Sequence, residues 1–479
     1  MTSSSSEPTF VSDRRLRLLS AVLLLGASAS ILDTTIVNVA LDHLRTTFGS
    51  SVDTTQWLVT GYLLALAAVI PLTGWAAERY GARRAWMTAV GLFLAGSLAC
   101  GLAWSLPSLI AFRVLQGLGG GMILPLSMTI LTQASGPTRV GRAMATIAFP
   151  AQLAPILGPV IGGGIVDSVS WRWLFFVNVP ICALALLLAP KFLPTQSGDS
   201  RNRLDTVGMS LLTPGLVALA YGISQTGGGF MRSVVLGPIG LALCLLCAFG
   251  VYSLHARRPL IDVRLFARRS FGLSSALTFL GGFSMFAGML LTPLFYQAVR
   301  GESTLSTGVQ MIPMGVGTML FILVMGKLST RIDTRYVVFG GVLLSMLGTV
   351  PFALADASSS GLLLLLAQFI RGIGLGASTV PVMTLAFTGL SHAEVPRASA
   401  AFSIVQRIGA PFGTAVIAVL LQHFVARAAS TGTSLAGAYD AAFWCVFAVS
   451  AAPLMLAVSL PRDDRATATP TPTPAVAEI

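Results

Sequence analysis

The sequence predicts an all-α membrane protein of fourteen transmembrane helices, arranged as two parallel six-helix bundles with a two-helix hairpin inserted between them. Three observations carry this: a run of bilayer-length apolar stretches, an alternation of basic residues between successive loops, and a weak internal repeat. The stretches span about 16–41, 56–76, 85–104, 107–131, 141–165, 173–190, 205–222, 232–254, 271–296, 305–325, 336–354, 361–388, 398–422 and 441–460. A helix needs roughly 20 apolar residues to cross the hydrocarbon. These spans nearly exhaust the 479 residues, of which 54% are hydrophobic and 10% charged, so no soluble catalytic domain fits around them and an enzyme is not expected.

The loops set the orientation, because Lys and Arg are retained on the cytoplasmic side. With the N-terminus inside, the inner segments hold 22 Lys and Arg and the outer ones five, namely Arg45, Arg172, Arg232, Arg300 and Arg427. One missed or invented span would invert the bias beyond it. The formal charge of +12 therefore reflects topology beside anionic lipid, and no nucleic-acid partner is expected. The first apolar run lacks a cleavage site and reads as a helix rather than a signal peptide. The tails, Met1–Pro8 and Asp463–Ile479, are rich in Ser, Thr, Pro and Ala and read as disordered. The five cysteines lie inside apolar spans; Cys244 and Cys247 share a helix face but have no third ligand, so no metal is expected.

The repeat divides the chain. Gly74, Arg79 and Arg83 recur as Gly326, Arg331 and Arg335 at an offset of 252, and Gly117, Gly119 and Gly121 recur as Gly372, Gly374 and Gly376 at an offset of 255. An even number of spans separates equivalent helices, so the two units run in the same direction, as parallel repeats do in alternating-access carriers. The expected organisation is a tail over 1–15, a bundle over 16–190, a linker with two inserted helices over 191–270, a second bundle over 271–460 and a tail over 461–479.

Asp33 is the one acid these boundaries leave well inside a span. A carboxylate there is costly unless it faces a cavity, pairs with a cation or takes a proton. It is the candidate proton site, with a local structural role through Thr34, Thr35 and Asn38 as the other reading. Arg113, with Gln116 one turn away, is the candidate counterpart in span 4. Arg371 and Arg407 also lie in spans, without an intramembrane acid near them in sequence; a water-filled cavity, backbone carbonyls or an anionic substrate group would each accommodate them. Gly117 and Gly119 permit close helix packing. Gly158, Pro159, Gly162 and Gly163 mark span 5 as bent and tightly packed, suited to a gate. The turn with Gly74, Glu78, Arg79, Gly81, Arg83 and Arg84 reads as a latch at the cytoplasmic helix ends. No Gly-rich loop ends in Lys-Ser/Thr, which argues against ATP-driven transport.

These motifs resemble those of the major facilitator superfamily, specifically the fourteen-span drug:proton antiporters of the EmrB/QacA type. The helix 1 pattern L-D-x-T-I/V-V-N-V-A-L is matched from Leu32 to Leu41, with Asp42 where a proline is usual. The pattern G-x-L-A-D-R-x-G-R-R is matched by Gly74, Ala77, Arg79, Gly81, Arg83 and Arg84, with Glu78 for Asp and Ala76 for Leu. R-x-x-Q-G-x-G is matched by Arg113, Gln116, Gly117 and Gly119, and the antiporter pattern G-P-x-x-G-G by Gly158, Pro159, Gly162 and Gly163. Trp171 to Pro180 is similar to the family's entry to helix 6.

The resemblance implies the major facilitator fold, proton coupling at Asp33 and Arg113, exchange rather than symport, and no cofactor beyond the proton itself. It implies export of hydrophobic or amphipathic drug-like or antibiotic compounds by alternating access, by a monomer in contact with lipid in a bacterial cytoplasmic membrane, both termini cytoplasmic. A carrier for one metabolite, lipid or peptide shares every motif and stays open. An apolar cavity between the bundles is expected for such cargo. Trp57, Tyr62, Phe283, Phe286, Phe295 and Tyr296 are candidates for its lining, with packing or lipid contact as the other reading of each. Helix 10 lacks the second acid of members that export dications.

Overall fold

The computed structural model describes residues 13–135, 139, 141, 144–145, 161–165, 168–195, 198–199, 202–225, 232–256, 259–328 and 332–460. Among them, twelve helices are long and apolar enough to cross a membrane, or thirteen if one bent pair counts as a single span. The fifth expected span, 141–165, lies mostly outside the described residues.

The first half comprises α1 (Asp13–Val39), the short α2 (Leu41–Thr47), α3 (Val52–Val69), α4 (Leu72–Tyr80), α5 (Ala82–Gly101), α6 (Leu106–Ser135), the four-residue α7 (Trp173–Phe176) and α8 (Asn178–Phe192). The pair α3 and α4 is the bent span, turning by 53° at Ile70–Pro71. Proline lacks the N–H that would continue the ladder there. Gly81 joins α4 to α5 at φ 84°, a left-handed value that a side chain would strain.

Two further helices follow, α9 (Thr206–Ser224) and α10 (Ser233–His255). They pack closely, with Gly215 against Leu246 and Gly222 against Ile239. Asp205 caps α9 by accepting from the Gly208 N–H at 2.8 Å, and it also accepts from Tyr252 Oη at 2.7 Å and the Leu260 N–H at 3.0 Å. One carboxylate thus ties the start of α9 to the end of α10.

The second half comprises α11 (Arg269–Ala298), α12 (Thr304–Leu328), α13 (Thr334–Thr349), α14 (Gly361–Ala386), α15 (Val395–Thr431) and α16 (Leu435–Val458). The expected start of the last span at 441 is corrected to Leu435, because Ser434 caps the helix by accepting from the Gly437 N–H. That brings Asp440 inside the span, so Asp33 is not the single acid there.

Glycines explain how closely these helices approach. A Cβ on Gly117 would meet the Tyr62 backbone, one on Gly119 the Ala89 and Phe93 backbone, and one on Gly121 the Leu66 backbone. The same contacts recur in the second half. Gly372 meets Met314, Gly374 meets Gly341 and Ser345, and Gly376 meets Thr318. Tyr62, Ala89, Phe93 and Leu66 precede Met314, Gly341, Ser345 and Thr318 by 252 positions each, the offset read from the loops. The repeat is therefore a repeat of helix contacts as well as of letters.

The cores show how the halves meet. At the end where α1 begins, a single apolar core mixes Leu126, Ile130 and Leu131 of α6 with Met383, Phe387, Val395 and Phe402 of the second half. At the opposite end there are two cores. One holds Ile36, Leu58, Leu109 and Phe175 of the first half, and the other holds Phe295, Phe352, Ile417 and Phe443 of the second.

Substitution at the glycine seams separates packing from helix propensity. Gly119→Ala forces a methyl into the α5 backbone and is expected to destabilise by about 1–3 kcal/mol. Gly91→Ala, on the same bundle but with no heavy atom within 4 Å of the added carbon, is expected to be neutral or stabilising. Thermal unfolding of the purified variants in detergent measures both.

Candidate functional site

Asp33 is fully buried on α1, and its two carboxylate oxygens are taken by three side chains from two other helices. Arg113 Nη1 of α6 lies 2.5 Å from Oδ2. Gln116 Nε2 donates to Oδ1 at 2.9 Å, and Asn178 Nδ2 at the start of α8 donates to the same oxygen at 3.1 Å. Arg113 and Gln116 share one face because they stand one helical turn apart. Arg113 Nη1 also donates to Gln116 Oε1 at 2.7 Å and Nε to the Leu58 carbonyl at 3.2 Å. Its guanidinium stacks over Tyr62, 3.9 Å from the ring centroid. Tyr62 in turn donates to the Ser30 carbonyl at 3.4 Å.

Thr34 and Thr35, the local partners the sequence suggested, donate to the carbonyls of Ser30 and Leu32 in their own helix. Ser97 and Asn178 were not singled out by sequence. Ser97 Oγ accepts from Gln116 at 2.7 Å and from Asn178 at 3.4 Å, while Asn178 Oδ1 is buried with no partner among the described residues. The segment Trp171 to Pro180 carried the signal for Asn178, although polarity alone did not distinguish its role. Cys100 completes the wall, its Sγ 3.8 Å from Gln116 Oε1. An ion pair this dry is stable only with its remaining hydrogen-bonding capacity filled.

The second candidate cluster lies at the end where α1 begins. Arg397 at the start of α15 grips Glu78 of α4 bidentately, with Nε to Oε1 at 2.7 Å and Nη2 to Oε2 at 2.8 Å. This pair joins the two halves. Gly74 lets α4 approach, since a Cβ there would press on the Arg397 Cα and the Pro396 carbonyl at 3.3 Å. Asn202, in the segment leading to α9, braces the pair. Its Nδ2 donates to Glu78 at 2.6 Å while its carbonyl accepts from Arg79 at 2.8 Å and from Trp75 at 3.2 Å. Arg83 reaches the carbonyls of Pro190 and Leu193, and Arg84 is exposed. Gln133 of α6 donates to the His392 carbonyl, a second link between halves. Nearby, the Ser391 backbone N–H, with lesser help from its hydroxyl and from Arg268, holds Glu394 below the usual carboxylate range. A cavity of about 690 Å³ opens here, bordered by Glu78, Asp199, Asn202, Asp262, Glu394 and Arg397.

Of the remaining candidates, Gly158 and Pro159 lie outside the described residues. Gly162 is buried with its Cα facing the Ile36 carbonyl, and Gly163 is half-buried. Trp57 is 41% exposed and stacks on Tyr221 of α9. Phe283 tilts against Phe412, and Phe286 is half-buried. Phe295 and Tyr296 are fully buried with Phe352. Among these aromatic candidates only Tyr62 touches the Asp33 network. Among the described residues no group of three or more His, Cys, Asp and Glu could hold a metal ion.

A bundle of this form, with a buried acid–arginine pair and a second ion pair joining its halves, is that of a membrane transporter. The family model described as Major Facilitator Superfamily matches residues 23–414 and 315–477. A multidrug resistance protein B homolog of Mycobacterium tuberculosis is 37% identical over 84% of this chain and 75% of its own length. The multidrug export protein EmrB of Haemophilus influenzae is 30% identical over 83% of this chain and 79% of its own. The solved structure of the proton:xylose symporter XylE superposes with a TM-score of 0.64 over 94% of this chain and 97% of that one, at 15% identity, a likeness of fold. The chain belongs to the Major Facilitator Superfamily, and within it to the drug:proton antiporter family of the EmrB type.

The ion pair predicts an asymmetric double-mutant cycle. Arginine stays charged in any environment, whereas a carboxylate can take a proton. Asp33→Asn strands the guanidinium and is expected to cost more stability at neutral pH than Arg113→Gln, up to about 3–5 kcal/mol. Adding Arg113→Gln to Asp33→Asn is expected to recover part of that loss, read as melting temperatures of the four proteins.

The latch predicts a change in accessibility. Ser403 of α15 is fully buried against Met128 of α6 at the shared core. With the native cysteines replaced by serine, a Ser403→Cys reporter is expected to react several-fold faster with a maleimide once Glu78→Ala removes the latch. Unchanged labelling would mean that the apolar core alone keeps this end closed.

Proposed function

We propose that this protein is a proton-driven antiporter that exports hydrophobic or amphipathic drug-like compounds across a bacterial cytoplasmic membrane. In this reading it has fourteen spans: the twelve single helices, the bent pair α3–α4, and a fifth span over 141–165. The pair α9–α10 is the inserted hairpin, and both termini are cytoplasmic by the excess of Lys and Arg in alternate loops. The end that carries the latch is then the cytoplasmic one. A shared core on that side and separate cores on the other describe a carrier facing outward.

The observation that carries the proposal is the Asp33 site. A carboxylate bonded to a guanidinium, with that guanidinium independently held by Gln116, the Leu58 carbonyl and the Tyr62 ring, has two states that the same wall supports. Ionised, Asp33 neutralises Arg113. Protonated, it leaves Arg113 without its counter-charge, held through Gln116, the Leu58 carbonyl and the Tyr62 ring in a less stable state. Proton uptake from one side and release to the other then alternates the local charge by one, as antiport requires. Tyr62 places the apolar face of α3 beside this site.

The cargo follows from the charge available. The acid of this site, already paired with arginine, offers little to a doubly charged cation. Neutral or singly charged amphipathic compounds are the expected substrates. In liposomes under an imposed pH gradient, a monovalent amphipathic cation is expected to be exported faster than a divalent one, and an uncoupler is expected to stop both. Asp33→Asn is expected to abolish gradient-driven export and substrate-induced proton release while the protein still elutes as a folded species. Export by that variant at the unaltered rate would remove Asp33 from the coupling step.

A further inference from the structure

The Asp33 site has a counterpart in the second half, built on the same contacts with its charges permuted. At the offset of 255 that relates α6 to α14, Arg113 corresponds to Gln368, Gln116 to Arg371 and Asp33 to Gly288. The Leu25-Gly26 step of α1 likewise becomes Leu280-Gly281 of α11. Packing supports the equivalence. A Cβ on Gly96 of α5 would meet the Gln116 backbone, and one on Gly348 of α13 would meet the Arg371 backbone.

The acid, however, has no replacement. A Cβ built on Gly288 would fall within the Arg371 guanidinium, so the arginine occupies the space in which the aspartate of the first half begins. Arg371 is 2% exposed. Among the described residues its Nη2 donates to the Ser284 carbonyl at 3.3 Å, and its buried Nη1 has no hydrogen-bond partner. Gln368 Oε1 is also buried without a partner. The groups around the guanidinium are neutral: Ser284 and Gly288 of α11, Gly348 of α13, and Ser450 of α16, which donates to Ser284 Oγ at 2.9 Å. A permanently charged group at this depth demands a counter-charge, and in the first half the chain supplies one. Here it does not.

We propose that Arg371 is a binding site for one monovalent anion, which occupies the role that Asp33 plays in the other half. The anion is a solution halide or the carboxylate of an amphipathic molecule. The second source makes the site a recognition point for anionic groups of the proposed cargo and rests on that reading. The first does not.

The test is binding to the purified full-length protein in detergent, where an anion that prefers the folded state raises the melting temperature saturably. Chloride is compared with gluconate at equal ionic strength, and salicylate with its neutral amide, salicylamide. Wild type is expected to gain stability with chloride, salicylate or both, beyond gluconate and salicylamide. Arg371→Gln removes the cation, and Gly288→Asp supplies an internal carboxylate; each is expected to lose the anion-dependent gain. Gly288→Asp obliges the Arg371 guanidinium to swing aside and pair with the new carboxylate, and its melting temperature is expected to be independent of added anion, which keeps the test open where Arg371→Gln fails to fold. A gain with chloride identifies the solution anion, and a gain with salicylate alone identifies the organic carboxylate. No anion-specific gain in wild type, or the same gain in wild type and both variants, overturns the proposal. Because the readout needs no gradient, its failure is distinct from a failure of proton-driven export.

Discussion

A guanidinium and a carboxylate buried between α1 and α6 set the terms for the helices around them. Asp33 and Arg113 are both sealed from bulk solvent, so their polar atoms call for partners within the protein. That requirement explains why Gln116, Asn178 and Ser97 converge from α6, α8 and α5, and why Tyr62 of α3 presents its ring face to the cation. Helices α3, α6 and α8 are thereby tied to α1 by polar contacts, and α5 joins them through Ser97. Apolar packing holds the bundle together, and the ion pair makes one arrangement of it preferable to its neighbours.

Such convergence is possible only where helices lie closer than ordinary side chains allow. Gly96 faces Gln116, and Gly117, Gly119 and Gly121 face the backbones of α3 and α5, so α6 sits in a groove cut by absent side chains. The repetition of that groove in the second half, contact for contact at a constant offset, implies selection on the seam geometry independent of the charge it encloses. Gln116 and Arg371 occupy equivalent seams. The scaffold holds an amide in one seam and a guanidinium in the other, with a glycine facing each.

Much of this was legible in the sequence because membrane segments declare themselves by length, and buried charges stand out among apolar residues. Asp33, Arg113 and Gln116 were chosen on that ground, and they form one network. Asn178 and Ser97 escaped because amides and hydroxyls are common in spans and their value depends on which helix they face. The boundary at 441 failed for a local reason: Ser434 starts the last helix a turn and a half earlier than hydropathy suggests, which hid Asp440. Trp57 illustrates the limit for aromatic residues. Its neighbour Tyr221 is 164 positions away on α9, and no periodicity within α3 reveals that contact.

The Asp33 site and the Glu78 latch are far apart, and any coupling between them has to run through elements that reach both. Two do. The bent pair α3–α4 carries Tyr62 at the site and Glu78 at the latch, with Pro71 between them. Helix α6 carries Arg113 at the site and Gln133 at the junction with His392, about 30 Å away at 1.5 Å per residue. A movement of Arg113 that follows protonation of Asp33 bears on the same rod whose far end seals the shared core. Asn202 adds a third participant, because it belongs to the segment leading into α9 and yet bonds Glu78, Arg79 and Trp75 together. The pair Glu78–Arg397 is thus tied to the segment that enters α9 as well as to the two halves.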